Sequence, residues 1–227
     1  MTDVRCVRHP LAQAKLGRLR DVRTDAPAFR RLVRELTFFL IVECTADLRV
    51  AAARVATPLA EAEAVSVAEP VVLVPVLRAG LGMAEAALEL LPDARVGHVG
   101  LYRDERTHAP VAYYVNTPCE LPDALVLVLD PMLATGGSAA AALGMLRQRG
   151  ARRVKLCSLI AAPEGVARLR AAHPEVELYT VAVDERLDER AYIIPGLGDA
   201  GDRMFGTLQP GGDAGRSADF ASGEGLA

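Results

Sequence analysis

The segment Leu125-Val-Leu-Val-Leu-Asp-Pro-Met-Leu-Ala-Thr-Gly-Gly-Ser138 carries the clearest chemical signal in the chain. An apolar run delivers an acid, Asp130, and a loop of small residues then leads into an Ala-rich stretch. Residues 134–138 lack bulk, so their backbone N–H groups can close around an anion. A helix starting there adds its unpaired donors and positive dipole end. Thr135 and Ser138 supply hydroxyls. Each charge-assisted bond to a phosphate is worth roughly 1.5–3 kcal/mol, so four or five anchor a monophosphate. A side chain at Gly137 would fill the space of the phosphate oxygens and disfavour any positive φ. A tight turn with a capping Ser would account for Gly-Gly-Ser alone. Asp130 tips the balance, because an acid beside an anion cradle suits the hydroxyls of a ribose. The loop lacks the G-x-x-x-x-G-K-[ST] pattern and is not a dinucleotide fingerprint, which disfavours a kinase or a dehydrogenase.

Three further segments could do chemistry. Val74-Pro-Val-Leu-Arg-Ala-Gly-Leu-Gly-Met83 sets Arg78 at a strand end before Gly80 and Gly82, where an arginine could clamp a second anion. A strand-capping Arg with an ionic partner explains the same pattern equally well. His98-Val-Gly-Leu-Tyr-Arg-Asp-Glu-Arg-Thr107 puts Arg103 among charges that by composition make an ordinary solvated turn, and His98 reads as a core or edge residue. Tyr192-Ile-Ile-Pro-Gly-Leu-Gly-Asp-Ala-Gly-Asp-Arg-Met-Phe-Gly206 combines four glycines and a proline with Ile193, Ile194, Leu197 and Phe205. Such a loop can present backbone groups to a flat polar ligand; a surface turn is the alternative.

The elements that must position these residues follow from periodicity. Thr24 or Asp25 can cap a helix with Pro27 in its first turn, and Phe29, Leu32, Val33, Leu36 and Leu40 recur at helical spacing. Residues 71–76 read as a buried strand and 81–91 as the helix after it. Residues 95–101 and 111–115 read as an antiparallel arm, because the polar stretch between them is too short for a parallel crossover. Residues 125–129 are five apolar residues in a row, as a central parallel strand requires. A helix over 138–149, a strand over 154–160, a helix over 163–172 and a strand over 176–183 continue the alternation. The expected fold is α/β, a parallel sheet flanked by helices, with its ligands at the carboxyl ends of the strands. Residues 1–207 form one domain in this reading. Residues 208–227, rich in Gly, Ala, Ser and Asp, form a disordered tail.

Composition narrows the partners. The 227 residues are 51% hydrophobic and 24% charged, which is globular. Lys+Arg is 26 against 29 for Asp+Glu, a net charge of −3, whereas a general nucleic-acid coat should be basic. The cationic set is nearly all Arg, Lys15 and Lys155 being the only lysines. The longest uncharged stretch, 131–146, falls short of the ~20 residues of a spanning helix, and the N-terminus has no apolar run of signal type. Cys6, Cys44, Cys119 and Cys157 form no C-x-x-C. A reduced, cytoplasmic protein with no structural metal is expected.

Taken together, these segments resemble the uracil phosphoribosyltransferases. V-P-V-L-R-A-G-L-G-M, G-L-Y-R-D-E, L-D-P-M-L-A-T-G-G-S and Y-I-I-P-G-L-G-D-A-G-D-R-M-F-G-T occur in that order and at family-like spacing from about residue 5 to Thr207. L-I-V-E-C-T-A-D-L near residue 44 and I-A-A-P-E-G at 160–165 also fit. The resemblance implies the type I phosphoribosyltransferase fold. It also implies transfer of phosphoribosyl from 5-phosphoribosyl 1-diphosphate to N1 of uracil, giving UMP and diphosphate with Mg²⁺ carried mainly by the donor. Under it Asp130, Pro131, Met132, Leu133, Ala134, Thr135, Gly136, Gly137 and Ser138 hold the ribose and its 5′-phosphate. Arg78 and Arg103 hold the diphosphate, with Asp130 and Arg103 in the catalytic roles. Ile193, Gly198, Asp199 and Ala200 read uracil, Asp199 also lying near the donor. Pro131 replaces the second acid of the typical type I loop, as in the uracil branch. A homo-oligomer and a GTP effector belong to the same implication. Ala46 stands where the family usually has Arg. The competing reading, a phosphoribosyltransferase-like regulator that binds pyrimidine nucleotides and RNA, would need a basic face, which the net charge disfavours.

Overall fold

The computed structural model describes residues 4–103, 110–119 and 121–207, with Tyr102, Arg103 and Pro110 described in backbone only. Its elements are β1 (Val4–Cys6), α1 (Pro10–Arg20), α2 (Ala26–Cys44), β2 (Val50–Ala56), β3 (Glu61–Val67), β4 (Val71–Leu77), α3 (Leu81–Leu90), β5 (Arg95–Val96), β6 (His98–Arg103), β7 (Pro110–Asn116), β8 (Leu125–Leu129), β9 (Met132–Leu133), α4 (Gly137–Gln148), β10 (Arg153–Ala161), α5 (Pro163–Ala172), β11 (Glu177–Val183), β12 (Arg186–Leu187), β13 (Ile193–Ile194) and α6 (Ala200–Phe205). The main sheet runs β1-β11-β10-β8-β4-β6-β7, with β5 beside β4 and β9 beside β10. All its pairings are parallel except β6 with β7. The expected parallel α/β class and the antiparallel arm are therefore both present.

Strand alternation divides the core in two. Leu125, Leu127 and Leu129 of β8 join Val71 and Leu73 of β4 in the layer under α1, α2 and α3. Val126 and Val128 point the other way, with Val72, Val74 and Val76, into the layer under α4 and α5. Successive strand residues face opposite sides, so a strand apolar at every position is covered on both. Asp25 caps α2 through its side chain, accepting from the Ala28 N–H at 2.8 Å. Helix α2 then buries Phe29, Leu32, Val33, Leu36 and Leu40, the residues whose spacing marked it.

At the amino ends of the strands, far from the candidate site, ionic groups tie the sheet to α2. Lys155 is 1% exposed and donates to the Cys44 carbonyl at 2.9 Å and to Asp47 at 2.6 Å. Glu69 accepts from the Arg49 N–H at 2.7 Å and from the Arg153 guanidinium at 2.6 Å. A buried charge of this kind persists only when its partners are in place. Ala46 lies exposed on the turn between α2 and this cluster.

The structure departs from the expectations in four places. Helix α1 and the β2–β3 hairpin were not anticipated. The hairpin is Ala-rich and exposed on both faces, so neither alternation nor an apolar run marks it clearly. The strand expected over 95–101 is interrupted at Gly97, where a Cβ would come within 3.1 Å of the Asn116 carbonyl oxygen. The positive φ expected near Gly137 falls on Gly136, at 73°. The expected tail, 208–227, lies outside the described residues.

Candidate active site

The site grows from the carboxyl ends of two adjacent strands. Strands β4 and β8 pair in parallel up to Pro75 and Leu129, so Arg78 and Asp130 emerge side by side. The Leu77–Arg78 peptide is cis. Gly80 lets this turn close: a Cβ there would sit 2.4 Å from the Leu129 carbonyl oxygen.

Asp130 is fixed by its own backbone, whose N–H donates to the Cys157 carbonyl at 3.1 Å. The chain then bends without leaving the sheet. Met132 and Leu133 pair with Ile160 and Ala161 of β10, and the Pro131 and Leu133 carbonyls accept from the N–H groups of Leu159 and Ala162. Burial at the strand end pushes the Asp130 carboxyl up to about 7, and a long 3.4 Å bond from the Met132 N–H offsets only part of this. No ion pair to Asp130 forms among the described residues. A carboxyl in that state gains from hydroxyl donors or a cation brought by a ligand.

The anion cradle follows. Gly136 turns the chain through a left-handed conformation, and its missing Cβ leaves room for the Gly165 carbonyl oxygen, which such an atom would approach to 2.9 Å. Gly165, at the start of α5, is equally constrained, since its own Cβ would lie 2.4 Å from the Ala134 oxygen. Helix α5 is thus the back wall of the loop. Helix α4 begins at Gly137 with no side-chain cap from Gly136, so the N–H groups of Ser138 and Ala139 remain available to a ligand. The Thr135 hydroxyl accepts from the Gly137 N–H at 3.4 Å.

One cavity of about 360 Å³ joins these parts, lined by residues 76–79 and 130–139 with Asp199 and Gly201. It brings together Arg78, Asp130, every loop position from Pro131 to Ser138, and Asp199. The Arg78 side chain is 63% exposed, and its nearest carboxylate, Asp202, is 3.8 Å away, which leaves the guanidinium loosely held. Asp199 caps α6 through Oδ1, accepting from the Asp202 N–H at 2.9 Å. Ile193 of β13, Gly198 and Ala200 at the start of α6 belong to the same C-terminal segment but not to the cavity wall. The side chain of Arg103 lies outside the described set. Ala79 and Gly201 line the cavity without having been singled out in the sequence. The only signal for them was their adjacency to Arg78 and Ala200.

Among the described residues, no cluster of three or more His, Cys, Asp or Glu side chains could cage a metal. The cavity offers Asp130 and Asp199. That donor set fits Mg²⁺, which keeps several waters and is held through one or two carboxylates plus the phosphates of a substrate. It does not fit a caged resident ion.

A parallel α/β sheet that sets an acid and an arginine around a helix start at the carboxyl ends of its strands has the layout of an anion-binding protein. The family model of uracil phosphoribosyltransferase matches residues 6–207. A protein of Symbiobacterium thermophilum named uracil phosphoribosyltransferase is 52% identical over 208 residues, covering 91% of this chain and 100% of the relative. Relatives of the same name from Alkaliphilus oremlandii and Paracoccus denitrificans are 49% and 52% identical over 91% and 88% of this chain, and over 100% and 96% of their own. A solved structure of the AQ2163 protein from Aquifex aeolicus is 40% identical with a TM-score of 0.84, covering 89% of this chain and 97% of that one. The chain belongs to the uracil phosphoribosyltransferase family. These names support the enzyme reading and not the nucleotide- and RNA-binding regulator.

Proposed function

We propose that the chain transfers the phosphoribosyl group of 5-phosphoribosyl 1-diphosphate to N1 of uracil, giving UMP and diphosphate. The observation that carries this reading is the single cavity shared by Arg78, Asp130, Asp199 and the uncapped start of α4. The 5′-phosphate sits on the N–H groups of the loop and of α4. Asp130 accepts from the ribose hydroxyls. Arg78 faces the diphosphate, and the same role for Arg103 rests on the resemblance alone.

The bond from the ribose C1 to diphosphate breaks early. Positive charge therefore grows on the sugar and negative charge on the leaving group, and the protein contributes mainly by holding both in place. Arg78, exposed and loosely paired, is placed to follow the departing diphosphate. Asp130 offsets charge on the sugar once ligands have lowered its proton affinity. Mg²⁺ bound with the donor would neutralise the diphosphate oxygens; Asp130 and Asp199 are the carboxylates that would meet it. The backbone around Gly198 pairs with the O and N–H edge of uracil. Cytosine is rejected because it leaves those groups unpaired.

Homo-oligomer assembly belongs to the same proposal. A lone two-stranded hairpin is marginal in water, yet β2 and β3 expose Val50, Val55, Val65 and Val67. A second copy of the chain is the partner that would cover them. No helix among the described residues is long and apolar enough to cross a membrane. A cytoplasmic location rests on the cysteine pattern, and GTP as effector on the resemblance alone.

The deciding experiment is diphosphate release with donor, Mg²⁺ and a panel of bases. Release with uracil and little with cytosine or purines is expected. Equal release with a purine would overturn the base assignment.

A further inference from the structure

The loop from Asp184 to Asp199 contains little regular structure beyond two short strands, yet its backbone is held at several points. Asp184, with a side chain only 4% exposed, forms a bidentate pair with Arg20 at 2.5 and 2.7 Å. The same two side chains take both peptide groups of Gly196. Its N–H donates to Asp184 at 3.0 Å, and its carbonyl accepts from Arg20 at 2.6 Å. One residue on, the Leu197 carbonyl accepts from Arg203 at 2.9 Å. Arg203 also donates to the carbonyls of Leu19 at 2.8 Å and Asp21 at 2.6 Å, with its guanidinium 4.5 Å from the Phe29 ring centre. Two arginines thus join the loop to the turn between α1 and α2.

This pattern leaves a gap at a particular place. The carbonyls of Gly196 and Leu197 are already occupied. The N–H and carbonyl of Gly198, at φ 74°, have no hydrogen-bond partner among the described residues. The next residue, Asp199, reaches the cavity wall.

We propose that Arg20, Asp184 and Arg203 are positioning residues for base recognition, fixing the loop by Gly196 and Leu197 so that the Gly198 peptide is left for uracil. The inference rests on the proposed uracil reaction. It adds that base selectivity depends on three side chains that do not touch the base. A flexible loop could turn a carbonyl or an N–H toward the ligand and so accept either uracil or cytosine. A loop whose neighbouring carbonyls are occupied offers one fixed pattern, and a base with the wrong edge leaves a polar group unpaired.

The test uses full-length Arg203→Ala, Arg203→Lys and Asp184→Asn. KM for uracil, KM for the donor, uracil-over-cytosine selectivity and amide hydrogen exchange of residues 193–199 are measured for each. A lost hydrogen bond in the frame should raise KM for uracil by about tenfold. The donor KM should stay within about twofold. Selectivity should narrow and loop amides should exchange faster, with Arg203→Lys falling between wild type and Arg203→Ala. Equal rises in both KM values would show general damage and overturn the proposal. Faster loop exchange with unchanged selectivity would overturn it too, because the frame would then hold a loop that does not read the base. Should Arg203→Ala fail to fold, Asp184→Asn and Arg203→Lys decide. A wild-type protein that makes no UMP from uracil would remove the reaction instead, while the exchange data would still show whether these residues hold the loop.

Discussion

Asp130 stores an ionisation cost that ligand binding can relieve. Its folded pKa of about 7 lies above its ordinary value of 3.8, so folded protein holds the proton where unfolded chain has released it. Stability from this group is therefore complete below about pH 4 and is lost as pH rises toward 7. Asp130→Asn should abolish turnover yet melt higher than wild type at pH 8. The gain should be on the order of 2 kcal/mol, allowing for water in the open cavity, and should vanish near pH 4. Calorimetry across that range checks it, and a gain that grew toward low pH would contradict the assignment. Gly136 carries a second prediction. A side chain there meets the Gly165 backbone and a left-handed φ together. Gly136→Val should lose UMP binding and cost about 2–3 kcal/mol of stability. Gly137→Val, whose Cβ would first meet the Arg168 guanidinium at 3.4 Å, should fold nearly normally. Binding calorimetry and thermal melts on the pair separate the two glycines. The sequence marked both, but it could not say which adopts positive φ, since that depends on where α5 packs.

At the scale of elements, legibility tracked burial. Strands β4, β8 and β10 were readable because a strand covered on both faces has to be apolar throughout. Helix α2 was readable because a cap and five core residues coincide. Helix α1 buries only Ala12, Leu16 and Leu19, too few to stand out from its polar residues. The β2–β3 hairpin was missed because alanine is a weak strand former and neither face is covered. Arg20 and Arg203 were missed for a different reason. Arg203 bonds to backbone carbonyls, and a carbonyl has no residue type to read; Arg20 finds its carboxylate partner, Asp184, at the far end of the chain. The hairpin also makes a prediction. Replacing residues 51–66 by a short turn should leave the parallel sheet folded and shift the protein to monomer in sedimentation. An unchanged mass would show that the hairpin is not the contact between copies.

Across the whole molecule, anchoring and chemistry occupy opposite ends of the sheet. Lys155, Glu69 and Arg153 tie down the amino ends, and the cavity opens at the carboxyl ends. Changes beyond the family match should matter little. Removing residues 208–227 should leave turnover within about twofold, because the family match ends at residue 207. A larger loss in steady-state assays would give that segment a role in the site.

The stitching of the anion loop to β10 has a practical consequence. Because the Pro131 and Leu133 carbonyls hold the same strand that crosses the core, the loop should unfold together with the sheet. Occupancy by UMP should therefore appear as a shift of the whole unfolding transition and not as a local ordering. UMP at a hundred times its Kd should stabilise the fold by about 2.7 kcal/mol. For a chain of this size that is a rise of roughly 5–10 °C in Tm. A dye-based melting plate could then rank nucleotides and donor analogues without any turnover assay. No rise in Tm at a hundred times the expected Kd would show that UMP does not bind the folded chain.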